Sequence, residues 1–287
     1  MAFNLQTFRT RAITAIVFAM VMLFGLLWNQ WSFLVLFSVI HVGCWIEYQK
    51  LVGLIDKDYR GIGPLHQYGI LFAGWGLQLW MTNESYQIGR ISIHVAGWWI
   101  FSIGVLVFVM DEFLLGKKFT PRLWGYSILG LVYISLSWGL MMRLWSNLHQ
   151  TVFAGENWLM PVLLIASIWI NDTMAYLVGS FIGKKSLSPV SPQKTWEGTI
   201  GGAILAVLVV VLTGFYVFHL SIKPLLLISI TAAIAGTAGD LFESKLKRLA
   251  GIKDSGRIMP GHGGFLDRFD SLLVATIVVW IVFYLFY

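Results

Sequence analysis

The chain has 287 residues, 57% of them hydrophobic, 15% aromatic and only 12% charged. Soluble domains carry about 25% charged residues, so this composition excludes a water-soluble globular protein and describes an integral membrane protein. The formal charge of +6 fits basic loops against anionic lipid headgroups or polyphosphate substrates better than nucleic acid, and the lone cysteine, Cys44, excludes an internal disulfide framework.

Nine apolar segments predict membrane helices: 12–28, 31–49, 65–81, 93–110, 123–142, 158–182, 198–220, 224–239 and 271–287. A span needs about 20 apolar residues, and the eighth segment is the shortest and is glycine-rich. The first follows Arg9 and Arg11 as a signal peptide would. It runs to Trp28 without a small-residue cleavage site, so it reads as a retained anchor. Tryptophan and tyrosine gather near segment ends, where interfacial anchors belong. No repeat of fixed period and no Ser/Pro linker divides the chain, which therefore reads as one membrane domain over 1–287. Residues 1–150 give spans without a readable role, and 158–287 carry the polar chemistry.

Lysine and arginine alternate from loop to loop. With a cytoplasmic N-terminus, seventeen of the twenty fall inside and three outside. The positive-inside rule then gives an all-α, polytopic protein of about nine transmembrane helices, N-terminus cytoplasmic and C-terminus outside. The two loops richest in polar residues, 183–197 and 240–270, land on the cytoplasmic side.

In the second half of the chain the polar residues form islands. Asp172 interrupts the sixth span, in WINDTMAYLVG. A carboxylate at a span centre costs about 2.5–3.5 kcal/mol on insertion scales. Asp172 is therefore either a helix-packing residue paired with Asn171 or Thr173, or a group in a polar cavity. The stretch GSFIGKKSLSPVSPQKTWEGT, 179–199, mimics a phosphate-binding loop in Gly179-xxx-Gly183-Lys184-Lys185-Ser186. The spacing is one residue short and it follows a membrane helix rather than a strand, so that reading is rejected. Its second half supplies Ser191, Lys194 and Thr195 as hydroxyl and ammonium donors, and Glu197 and Gly198 lead into the next span. It is a candidate second wall of a pocket.

In GDLFESKLKR, residues Asp240, Ser244 and Lys247 stand at i, i+4 and i+7 on one helical face, flanked by Glu243. Asp267 and Asp270 follow at i, i+3 in LDRFD. Two carboxylates that close repel unless a cation lies between them, and hard oxygen ligands suit Mg²⁺. Pro260, Gly261, Gly263 and Gly264 form a loop feeding a helix N-terminus, where backbone amides attract anions. His262 lies between glycines, placed to donate to a phosphate or to shuttle a proton. Lys247, Arg248, Lys253, Arg257 and Arg268 surround the island with positive charge. It reads as a polyphosphate and metal site at the membrane surface.

The run Ser244-x-Leu246-Lys247-Arg248-x4-Lys253-Asp254-x-Gly256, then Pro260-x-His262-Gly263-Gly264-x2-Asp267-Arg268-x-Asp270, resembles the phosphatidate cytidylyltransferases (CDP-diacylglycerol synthases). SPQKTWEG and NDTMAYLVGSFIGKK resemble the same family. The motifs cover roughly 171–271, and Met259 is a conservative departure where the family carries Leu, Ile or Phe. The resemblance implies transfer of the cytidylyl group of CTP to phosphatidic acid, giving CDP-diacylglycerol and pyrophosphate. It implies Mg²⁺, with K⁺ nearby, held by Asp240, Asp267 and Asp270. The catalytic set would be Asp240, Lys247, Asp267, Asp270 and His262. Substrate contacts would come from Asp172, Ser191, Lys194, Thr195, Glu197, Ser244, Arg248, Lys253, Asp254, Gly263, Gly264 and Arg268. The expected partners are CTP, phosphatidic acid and membrane lipids, not nucleic acid; a homodimer is admitted. The expected location is the inner (cytoplasmic) membrane, site facing the cytoplasm.

Two other readings compete. Another lipid-phosphate enzyme, a CDP-alcohol phosphatidyltransferase or a CTP-dependent polyprenol kinase, shares the chemistry, but the D-G-x2-A-R spacing of the former is absent. An ion-coupled transporter would use Asp172 and the DxxD pair as cation sites. It predicts charges mid-span and broken helices in matching halves, whereas these carboxylates cluster at span ends and no halves repeat.

Overall fold

A computed structural model describes residues 5–114, 120–145, 157–256 and 263–287. Each of the nine apolar segments falls on a helix. In chain order these are α1 (Leu5–Leu27), α2 (Gln30–Ile55), the short α3 (Lys57–Arg60), α4 (Pro64–Trp80) and α5 (Ile93–Leu114). Then come α6 (Pro121–Gly130), a π-helical stretch (Leu131–Leu136) and α7 (Ser137–Trp145), which together make one apolar run. The chain continues with α8 (Leu159–Ile182), α9 (Trp196–Tyr216), α10 (Ile222–Leu249) and α11 (Leu266–Phe286). Among the described residues seven helices are long and apolar enough to cross a membrane, whereas the apolar part of α1, Ala12–Leu27, and the 17-residue α4 are shorter. The protein is an all-α, polytopic membrane protein.

Two small antiparallel hairpins interrupt the helices. β1 (Gln87–Ile88) pairs with β2 (Ile91–Ser92), and β3 (Ser186–Ser188) pairs with β4 (Ser191–Thr195). The stretch rejected as a phosphate loop, Gly179 to Ser186, spans the end of α8 and the turn into β3. Gly183 closes α8 in extended conformation, and the chain turns from there into the hairpin.

The described residues form two compact units. One takes in Met1–Met142 and Leu249–Phe269; the other takes in Arg143–Arg248 and Asp270–Tyr287. In the first unit α4 and α5 pack closely at small residues: a Cβ at Gly69 would meet the Phe108 backbone nitrogen at 2.7 Å. Membrane helices without a hydrophobic driving force between them associate through such close approach. Buried polar groups also tie α2 to the π-helical stretch. Ser135 Oγ lies 2.9 Å from His41 Nε2 and accepts from Trp45 Nε1 at 2.8 Å. In the second unit α8 and α9 approach closely at Gly198 and Gly202, and α10 meets α11 at Gly239, where an added Cβ would meet the Asp270 carbonyl oxygen at 2.6 Å.

Candidate functional site

A cavity of about 750 Å³ opens in the second unit between α8, the β3–β4 hairpin, α9 and α10. Asp172 lines it from α8. Ser191, Lys194 and Thr195 line it from β4, and Asp240 from α10. The hairpin and the charged helix were expected as two walls of one pocket, and here they meet: Lys194 Nζ forms an ion pair with Asp240 Oδ2. Ser244 Oγ donates to Asp240 Oδ1 at 3.2 Å, the i, i+4 contact that the helical face requires. Asp172 accepts from Asn171 Nδ2 at 3.4 Å while facing the cavity.

The close approach of α10 and α11 at Gly239 brings Asp270 to the same end of the unit. Asp270 lies within electrostatic reach of Asp240, Asp172 and Lys247. Lys247 itself pairs with Glu243, one turn earlier and fully buried. Glu243, noted in sequence only as a flanking residue, thereby fixes an ammonium beside the carboxylates. Arg248 reaches back to the hairpin, its Nε 3.4 Å from the Val190 carbonyl.

Thr195 both lines the cavity and caps α9, its Oγ1 accepting from Gly198 N at 3.1 Å. Glu197 does not line the cavity. Its Oε2 accepts from the backbone amides of Lys184 and Lys185, each at 3.2 Å, which seals the turn between α8 and β3. Sequence reasoning missed Thr199 and Thr237, hydroxyls on α9 and α10 that also face the cavity.

The first unit holds the other half of the charged island. Lys253 and Asp254 are exposed on the loop that follows α10, and Arg268 is exposed on the first turn of α11. Asp267 Oδ2 accepts from Ser255 N at 2.8 Å, Ser255 Oγ at 2.9 Å and Gly264 N at 2.8 Å. Gly263 has a φ of +81°, a left-handed conformation that suits glycine, and a Cβ there would meet Asp267 Oδ2 at 2.6 Å. His262, with Arg257 and Met259 to Gly261, lies outside the described residues.

Glu47, which no motif flagged, organises this loop. It is buried in α2 and accepts from Ser255 Oγ at 2.7 Å, Phe265 N at 3.0 Å and Leu266 N at 2.9 Å. A Cβ at Gly256 or Gly264 would collide with its carboxylate oxygens. The amides expected to cradle a phosphate at the start of α11 are thus different in role: those of Gly264, Phe265 and Leu266 donate to Asp267 and Glu47. The positive end of the helix is met by the protein's own carboxylates.

Among the described residues no three His, Cys, Asp or Glu side chains group as a ready-made metal cluster. Mg²⁺ characteristically takes one or two carboxylates and completes its shell with water and substrate phosphate. The juxtaposed carboxylates Asp240 and Asp270 suit that mode.

These features define a class: a polytopic helical membrane protein with a cavity of lysine, carboxylate and hydroxyl groups walled by its helices. The chain belongs to the cytidylyltransferase family, whose family model matches residues 9–286. It is 48% identical over 127 residues to a phosphatidate cytidylyltransferase of Staphylococcus haemolyticus, covering 44% of this chain and 48% of that protein. A phosphatidate cytidylyltransferase of Staphylococcus epidermidis is 46% identical over 127 residues, and one of Staphylococcus saprophyticus 45% over 128, with the same coverage. The chain spans about half the length of the curated relatives it matches.

Proposed function

We propose that the protein transfers the cytidylyl group of CTP to phosphatidic acid, releasing pyrophosphate and forming CDP-diacylglycerol. The observation that carries this reading is the Lys194–Asp240 pair on the wall of the cavity, with Asp172 and hydroxyls around it, in a chain of the cytidylyltransferase family. The staphylococcal relatives carry the same activity in their names.

The reaction joins two polyanions. The attacking group is a phosphate monoester, whose second pKa of about 6 leaves it mostly dianionic near neutral pH, so no strong general base is needed. Its oxygen attacks the α-phosphorus, a new P–O bond forms, the bond to the β-phosphate oxygen breaks, and the electron pair leaves with pyrophosphate. The protein's task is charge neutralisation and alignment. Lys194 is poised for it: a triphosphate entering the cavity draws its ammonium from Asp240 toward phosphate oxygens. Lys247, held by Glu243, adds a second cation, and Ser191, Thr195 and Thr199 offer hydroxyl donors. Asp240 and Asp270 are the residues that would hold Mg²⁺. The ion would neutralise the triphosphate and stabilise the leaving pyrophosphate. The alternation of basic loops supports a cytoplasmic N-terminus and a site on the cytoplasmic face of the cell membrane, where CTP is available.

The test is pyrophosphate release by the full chain in detergent. We expect release that requires CTP and phosphatidic acid together, stops on chelation and returns with Mg²⁺. Release from CTP without the lipid, or ion flux in liposomes without CTP consumption, overturns the reading.

A further inference from the structure

The first unit carries a groove that the catalytic reading leaves unused. It is also about 750 Å³ in volume, and it lies between α2, α3 and the start of α4, within the size range of small-molecule sites. The groove is graded along its length. Ile46, Leu71 and Phe72 make one part apolar, while Lys50 and Arg60 stand at the end formed by the last turn of α2 and by α3. Gly53 provides depth there, since a Cβ would meet Arg60 Cβ at 3.4 Å.

The charge at that end is offset only in part, because Lys50, Lys57, Arg60 and Arg122 outnumber the acids Asp56 and Asp58. Asp56 and Asp58 are both engaged by Arg122, whose Nε lies 2.8 Å from Asp56 Oδ2 and whose Nη2 lies 2.9 Å from Asp58 Oδ2. Glu47, the other acid on α2, is buried and turned to the loop before α11. Lys50 and Arg60 are exposed, and the local acids have other partners. An exposed apolar channel ending in two cations, on a membrane protein, matches an amphiphile with a fatty tail and an anionic head.

We infer that this groove binds one anionic phospholipid, its phosphate on Lys50 and Arg60 and an acyl chain along Ile46, Leu71 and Phe72. The inference does not depend on the catalytic assignment. A bound lipid of this kind ties α2 to α4 at the end of the unit where charge would otherwise repel.

The test uses the full chain, purified with mixed lipid and read by native mass spectrometry after competition between phosphatidylglycerol and phosphatidylcholine. The wild type should retain one phosphatidylglycerol in preference to phosphatidylcholine. Each surface cation contributes a factor of about five, so Lys50→Gln with Arg60→Gln should reduce that preference by about twenty-five-fold. Both residues are exposed, and the doubly substituted chain should elute as the folded wild type does. Ile46→Trp, which narrows the apolar part, should weaken retention of both lipids. Equal retention of the two lipids by the wild type overturns the inference, as does a preference that survives the double substitution. A disulfide-linked dimer formed through Tyr68→Cys overturns it too, because a second copy would then cover the groove. Pyrophosphate release measured on the same samples keeps a failure here separate from a failure of the catalytic reading.

Discussion

The two units hold their carboxylates in different ways. In the first, Glu47 and Asp267 are bonded to backbone amides and one serine hydroxyl. Those donors are fixed to the chain, and their bonds shape a loop. In the second, Asp240 faces a cavity and is held by Lys194 and Ser244. An ammonium on a four-carbon stem can change partners without disturbing the backbone. A carboxylate bound by amides is thus a structural part, and one bound by a lysine in a cavity is available to ligands. The DxxD pair divides along this line, with Asp267 in the loop network and Asp270 beside Asp240.

The sharpest way to break the comparison is to neutralise one acid from each setting. Asp240→Asn should lower kcat for pyrophosphate release by about 10²–10³, the magnitude seen when a group stabilising developing charge is removed, with the melting temperature little changed. Glu47→Ala should do the reverse. The Phe265 and Leu266 amides lose their acceptor while the Ser255 hydroxyl keeps Asp267, at about 1–3 kcal/mol for each amide before relaxation, so thermal unfolding should register a loss of a few kcal/mol. If Asp240→Asn unfolds the protein while Glu47→Ala leaves its stability intact, the division fails. Lys194→Met should raise the KM for CTP and lower kcat, together about 10–100-fold, while Lys194→Arg should recover part of the loss. The smallest effect belongs to Glu197→Gln. Its contacts lie in the α8–β3 turn, so the melting temperature should fall slightly and the KM for CTP should hold. A large KM change would return Glu197 to the substrate contacts.

Much of this was legible in the residues. Hydropathy marked the helices because a span must satisfy its backbone within itself and cover its surface with apolar side chains. The i, i+4 spacing of Asp240 and Ser244 predicted a contact that the helix makes unavoidable, and the donors of SPQKTWEG meet the charged helix as expected. Glu47 was not read, although it lies inside the apolar segment 31–49 and the same insertion argument applied to Asp172 applies to it. Its partners lie more than two hundred residues away, and a single acid without neighbouring motif residues gives no spacing to interpret. The filling of the α11 amides was hidden for the same reason. A glycine-rich loop before a helix advertises free donors, and only the fold reveals a carboxylate from another helix already there. Glu197 has a role that its motif did not show, since its carboxylate closes the turn between α8 and β3.

The seat of the Glu47 carboxylate also links mutations. Its oxygens fill the space that side chains at Gly256 and Gly264 would need, so the three positions are sterically coupled. A change to alanine at either glycine should be tolerated only in a lineage that has already shortened residue 47, and a suppressor screen begun from Gly264→Ala should return substitutions at that distant codon.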